Sequence, residues 1–169
     1  MLAEDVRGVM EGMIFRSEVR LGCSSRTIQL PFRETTDAEV VGTTRGAQRF
    51  VDPAIYDREM PRLLERIRRM GSQPAQVQVM FIDEYAVAGI PAEYFVQHAL
   101  RIKEEAYPRH ALVVGQANGM VGYVPHKEAF LRGGYETTLC GSSRLAPEAG
   151  DLLADCAIEL IAEGTWEEE

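Results

Sequence analysis

Apolar residues at Leu2, Val6, Val9, Met10 and Met13 recur at helical spacing and predict an opening helix with one buried face. From Phe15 to Pro31 the period shortens, through Val19, Leu21 and Thr27-Ile28-Gln29-Leu30. This predicts one or two strands with a break at Gly22-Cys23-Ser24-Ser25. Residues 33–50 are polar and rich in Thr and charge, and read as a loop with a short helix at most. Asp52-Pro53 opens a second helix: the aspartate can cap it and the proline suits its first turn. Ile55, Met60, Leu63, Leu64, Ile67 and Met70 form a broad apolar face that ends at Gly71. Arg62, Arg66, Arg68 and Arg69, interspersed with Glu59 and Glu65, read as its solvated face.

Gln76 to Ile82 alternates like a half-buried strand, Asp83-Glu84 reads as a turn, and Tyr85 to Ile90 as the returning strand of a hairpin. Pro91 begins a helix expected to run to about Ala106, which puts Glu93 in its first turn. His110 to Gly115 is a short buried strand. A Gly-bearing loop from Gln116 to Gly122 leads from it into Tyr123-Val124-Pro125. A helical turn at Lys127 to Leu131, a strand from Gly133 to Leu139 and a last helix from Pro147 to Ala162 follow, with residues 165–169 as a frayed acidic tail. Helices and strands alternate, so the expected class is α/β: a mixed sheet packed with helices, in one domain over residues 1–164.

Composition narrows the function. With 169 residues, 46% of them hydrophobic, the chain can bury about 70% of its unfolded surface without a disulfide or metal staple. Cys23, Cys140 and Cys156 are odd in number and lack CxxC spacing, so they read as reduced thiols. A net charge of -8 opposes binding to nucleic acid or anionic membranes. No signal-like segment and no run of ~20 apolar residues occurs. The chain as written is therefore expected to be cytoplasmic, with no transmembrane segment.

Two segments carry candidate chemistry. One is Ala88 to Phe95, a strand end and tight turn bearing Glu93; the other is Gln116 to Pro125, a Gly-bearing loop ending at Tyr123. In open α/β folds, sites are built just past the carboxyl ends of strands. On its own, Glu93 is more simply explained as an anion favoured by a helix dipole, and Tyr123 equally well as a half-buried aromatic with its hydroxyl satisfied. The glycines from Gly115 to Gly122 do not form a phosphate loop, because the Lys-Ser/Thr ending is missing.

Gly89-Ile90-Pro91-Ala92-Glu93-Tyr94-Phe95 resembles the P-G-E-F segment of the neutral/alkaline (non-lysosomal) ceramidases. Asn118 to Val124 is similar to that family's N-x-x-x-x-Y-[IV] segment, and Gly134-Tyr135-Glu136 to its later Y-E segment, twelve residues beyond the first tyrosine. Ser143-Arg144-Leu145-Ala146-Pro147 and the helix after it fit short bacterial members. The resemblance is strongest over 77–161 and implies the C-terminal part of a catalytic domain. It implies a zinc amidohydrolase acting on a small amide or lipid-like substrate. Glu93 and Tyr123 fall on metal ligands, and Tyr135 on the catalytic tyrosine at the oxyanion.

The departures matter as much. The family's His-x-His and serine segments lie upstream of the matched region and do not occur here, and Ala92 replaces a glycine. Two oxygen ligands are half a zinc site. His126, three residues after Tyr123, is the candidate substitute ligand; His98 would lie well around a helix from Glu93. The expectation is a ceramidase-like segment that is incomplete and inactive alone, its partner being the missing N-terminal catalytic segment. Two alternatives stand beside it. One is a binding or assembly module that keeps the fold without catalysis. The other is a homo-oligomer in which a neighbour's His126 or His98 rebuilds a metal site.

Overall fold

In the computed structural model of the chain, residues 2–41 and 52–164 are described. The expected tail at 165–169 and the end of the polar loop, 42–51, lie outside them. The architecture is mixed α/β. Helix α1 (Leu2–Glu11) precedes strand β1 (Leu21–Pro31), and after the short α2 (Asp37–Val40) comes the long α3 (Pro53–Met70). The hairpin β2 (Ser72–Ile82) and β3 (Tyr85–Ile90) leads through β4 (Glu93–Tyr94) into α4 (Val96–Glu105). Then come β5 (His110–Gly115), β6 (Tyr123–Val124), α5 (Lys127–Arg132), a 3-10 turn at Tyr135–Thr137 and α6 (Ala149–Glu163). No helix among the described residues is long and apolar enough to cross a membrane.

The main sheet has the order β1-β2-β3-β5. β1–β2 and β2–β3 are antiparallel, and β3–β5 is parallel, with α4 as the crossover that a parallel pair needs. One face is closed: Leu30, Val77, Val79, Phe81, Ala86, Ala88 and Ile90 are buried with Leu153, Ala154, Ala157, Leu160 and Ile161 of α6 and Ile102 of α4. The alanines on both sides let α6 lie close to the sheet. Arg26 at the edge of β1 reaches Glu159 and Glu163, the latter at 2.8 Å, and ties that edge to α6.

Asp52 caps α3 by accepting the Ala54 N–H at 2.8 Å, and Gly71, at φ 68, ends it with its N–H on the Ile67 carbonyl. The helix buries Tyr56, Met60 and Ile67, whereas Ile55 and Met70 stay 46% and 43% exposed, so its buried stripe is narrower than the sequence pattern suggests.

Five further expectations are corrected. β1 runs without a break, because Gly22 to Ser25 stay in register with Phe81 to Gln78 and the ladder satisfies their backbone. α1 forms but buries none of its residues. The helix after Pro91 begins only at Val96, because residues 93 and 94 pair with β6 instead; Glu93 is therefore a strand residue and not in a first helical turn. The segment from Gly133 to Leu139 is no strand. Gly133 and Gly134 take φ 76 and 143, and the Thr137 and Thr138 hydroxyls bond back to the Gly134 carbonyl at 3.1 and 2.9 Å, closing a 3-10 turn. The last helix starts at Ala149, two residues later than the sequence suggests.

Candidate functional site

β3 and β5 run parallel and end side by side at Ile90 and Gly115. Beyond them the chain builds a small second sheet: β4 and β6 pair in parallel, with Glu93 opposite Tyr123 and Tyr94 opposite Val124. Glu93 N–H donates to the Gly122 carbonyl at 3.0 Å and Phe95 N–H to the Val124 carbonyl at 3.3 Å. The intervening loop is clamped onto the strand ends, with Gln116, Ala117 and Val121 donating to the Ala92, Ile90 and Pro91 carbonyls at 3.0, 3.0 and 2.7 Å. Gln116 is held at φ 56, a left-handed conformation uncommon for a glutamine. At Gly122 (φ 102) an added Cβ would lie 2.2 Å from the Ser142 carbonyl oxygen, and that oxygen accepts the Tyr123 N–H at 2.7 Å. Only glycine lets the two segments approach so closely.

This construction opens a cleft of about 410 Å³ walled by Glu93, Gln116, Tyr123 and Glu136 among others. Tyr135 stands beside it, its ring edge-on to that of Tyr123 with centroids 5.5 Å apart. The Glu93 carboxylate accepts from the Tyr123 hydroxyl, and this, with burial and a bond to Tyr135, raises the Tyr123 pKa well above the ordinary tyrosine value. Tyr123 is therefore held protonated, a donor between a carboxylate and a second hydroxyl. The structure thus brings Glu93, Tyr123 and Tyr135 together. Gln116 and Glu136 share the cleft and are additions that sequence reasoning assigned no role. Glu136 stood next to a matched tyrosine, a usable signal; the backbone twist that aims Gln116 left none.

The histidines go elsewhere. His98 is buried on α4, stacked on Tyr94 at 4.9 Å, with Nε2 3.4 Å from the Pro125 carbonyl and Nδ1 3.8 Å from Asp151. Burial pushes its pKa down, against the raising effects of the Pro125 carbonyl and Asp151. His126 packs 5.4 Å from His98 and borders a neighbouring cleft of about 240 Å³ that also touches Glu136. His110 lies at the opposite end of β5, 5.4 Å from the Tyr85 ring. Among the described residues no group of three or more His, Cys, Asp or Glu side chains gathers as a metal site.

No family model and no curated protein matches the chain. Solved structures do. One is a ceramidase complexed with C2, 15% identical with a TM-score of 0.51, aligned over 82% of this chain and 29% of that one. Another is the neutral ceramidase from Pseudomonas aeruginosa, 20% identical with a TM-score of 0.46, over 83% of this chain and 28% of that one. The chain spans less than a third of either structure. The likeness to the first is one of fold: the chain is similar to one part of that ceramidase.

Proposed function

We propose that this chain provides the Glu93–Tyr123–Tyr135 wall of a ceramidase-like zinc amidohydrolase site whose other ligands come from outside it, and that it is inactive alone. The observation that carries this reading is the pairing of Glu93 with Tyr123 at one cleft, with Tyr135 edge-on to Tyr123 beside it, past the ends of two parallel strands. In it, Glu93 and Tyr123 would hold a zinc ion together with ligands from outside the chain, and the Tyr135 hydroxyl would be placed to donate to the oxyanion of a small amide or lipid-like substrate.

The donors in this chain do not fit a zinc ion by themselves. Zinc favours about four ligands with nitrogen or sulfur among them, and the cleft offers a carboxylate and a tyrosine that is kept protonated. No hydrolytic step is therefore assigned to this chain unaided.

Elemental analysis of the purified chain beside a Glu93→Ala variant tests the proposal. Zinc well below one ion per chain in both, with no amide hydrolysis, is the expected result. Stoichiometric zinc that is lost in the variant would overturn it in favour of a site rebuilt between copies. A polypeptide carrying the missing His-x-His segment should restore zinc binding, and should do so with the wild type alone.

A further inference from the structure

Among the described residues the main sheet has a closed face and an open one. On the open face Leu21, Met80, Ile82, Tyr85, Leu112 and Val114 are between 43% and 63% exposed, gathered at the end nearer the β2–β3 turn and along β5. The outward positions of β1, β2, β3 and β5 include no Asp, Glu, Lys or Arg, in a chain of which 26% is charged. Solvated sheet faces and free edges ordinarily carry such charges; the centres of interfaces are depleted in them.

Part of the polar area of the face is paired within it. Gln78 donates its amide to the Cys23 sulfur at 3.2 Å and accepts from the Asn118 amide at 3.2 Å, so these groups lie across the sheet with partners already in hand. Covering them leaves few groups unsatisfied. The six apolar side chains expose on the order of 600 Å², the upper end for a monomer's largest patch, and approach the ~800 Å² per partner of a standard interface.

We propose that this open face is where a second copy of the chain docks, sheet against sheet about a two-fold axis. A charge of -8 makes two copies repel wherever their charged surfaces meet, and this face is an apolar surface on which no charge is buried and none is opposed. Two sheets of this kind pack about 10 Å apart, each apolar end against its counterpart. The proposal rests on the sheet and is independent of the reading of the cleft.

Light scattering on the full-length chain at micromolar concentration tests it, with Leu112→Glu and Met80→Glu as variants. Both positions are about half exposed (52% and 49%), so the fold tolerates the change, and circular dichroism checks this. The wild type should show twice the 18.9 kDa of one chain, falling to one chain in each variant. Cys23, exposed on this face, should react with a thiol reagent more slowly in the wild type than in Leu112→Glu. A wild type with the mass of one chain would overturn the proposal. So would a two-chain mass that neither variant changes, or assembly seen only with a different polypeptide.

Discussion

Gly122 sets where Tyr123 can be. Its φ of 102 and the 2.2 Å that would separate an added Cβ from the Ser142 oxygen leave no room for a side chain. Gly122→Ala should therefore lose about 3 kcal/mol or more of stability in chemical denaturation, from overpacking against backbone plus φ strain. One pair lower in energy but closer to the chemistry is Glu93 and Tyr123. Removing the carboxylate's charge in Glu93→Gln takes away the largest cause of the raised Tyr123 pKa. The phenolate absorbance of that tyrosine should then develop at lower pH than in the wild type; an unchanged titration would dissociate the two groups. The sequence pattern grouped Glu93, Tyr123 and Tyr135, and the β4–β6 register sets the first two opposite each other. The left-handed backbone at Gln116 belongs to the loop's bonds to residues 90–92, distant partners that a local pattern does not reveal.

Elements behave according to who covers them. α4, α6 and the start of α5 enclose His98 with Asp151, Arg101 and His126 around it, and Asp151 also pairs with Lys127. Burial lowers the folded-state pKa of His98, so below about 6.5 the unfolded chain takes up a proton that the folded one refuses. Stability should be full above that pH. It should fall by up to ~1.4 kcal/mol per unit as pH drops below it, until the folded pKa is reached. Asp151, whose pKa is lowered chiefly by Lys127, adds a loss in the same direction at more acid pH. Melts of the wild type and His98→Gln across this range measure the first effect, which the variant should flatten. α1 is the opposite case. Its apolar stripe predicted a helix, and a helix forms, yet a stripe says nothing of what covers it; removing residues 2–11 should change unfolding by no more than about 0.5 kcal/mol. The hairpin at Asp83-Glu84 was fully legible, being local, whereas Glu93-Tyr94 was misread as helix because its partner strand lies thirty residues away.

At the scale of the whole molecule, an acidic chain with an uncharged open face should associate more strongly as salt screens its net charge, a trend that sedimentation at increasing ionic strength would measure. The mixed sheet was legible from alternating elements; its one-sidedness was not, since β1 and β2 alternate in the same way whether their outward residues meet water or a partner. The position of α6 has a further bearing, on time. The inner face of β1 to β3 is covered by α6, more than sixty residues beyond β2, and β1 pairs with β2 across some fifty residues, so the contacts that close the core are long-range. A chain emerging from the ribosome presents Leu30, Val77, Val79 and Phe81 to solvent until residues 149–163 are free to pack on them. Folding is then expected to wait for residues 149–163, to be slow for the size of the domain, and to depend in the interval on protection from aggregation.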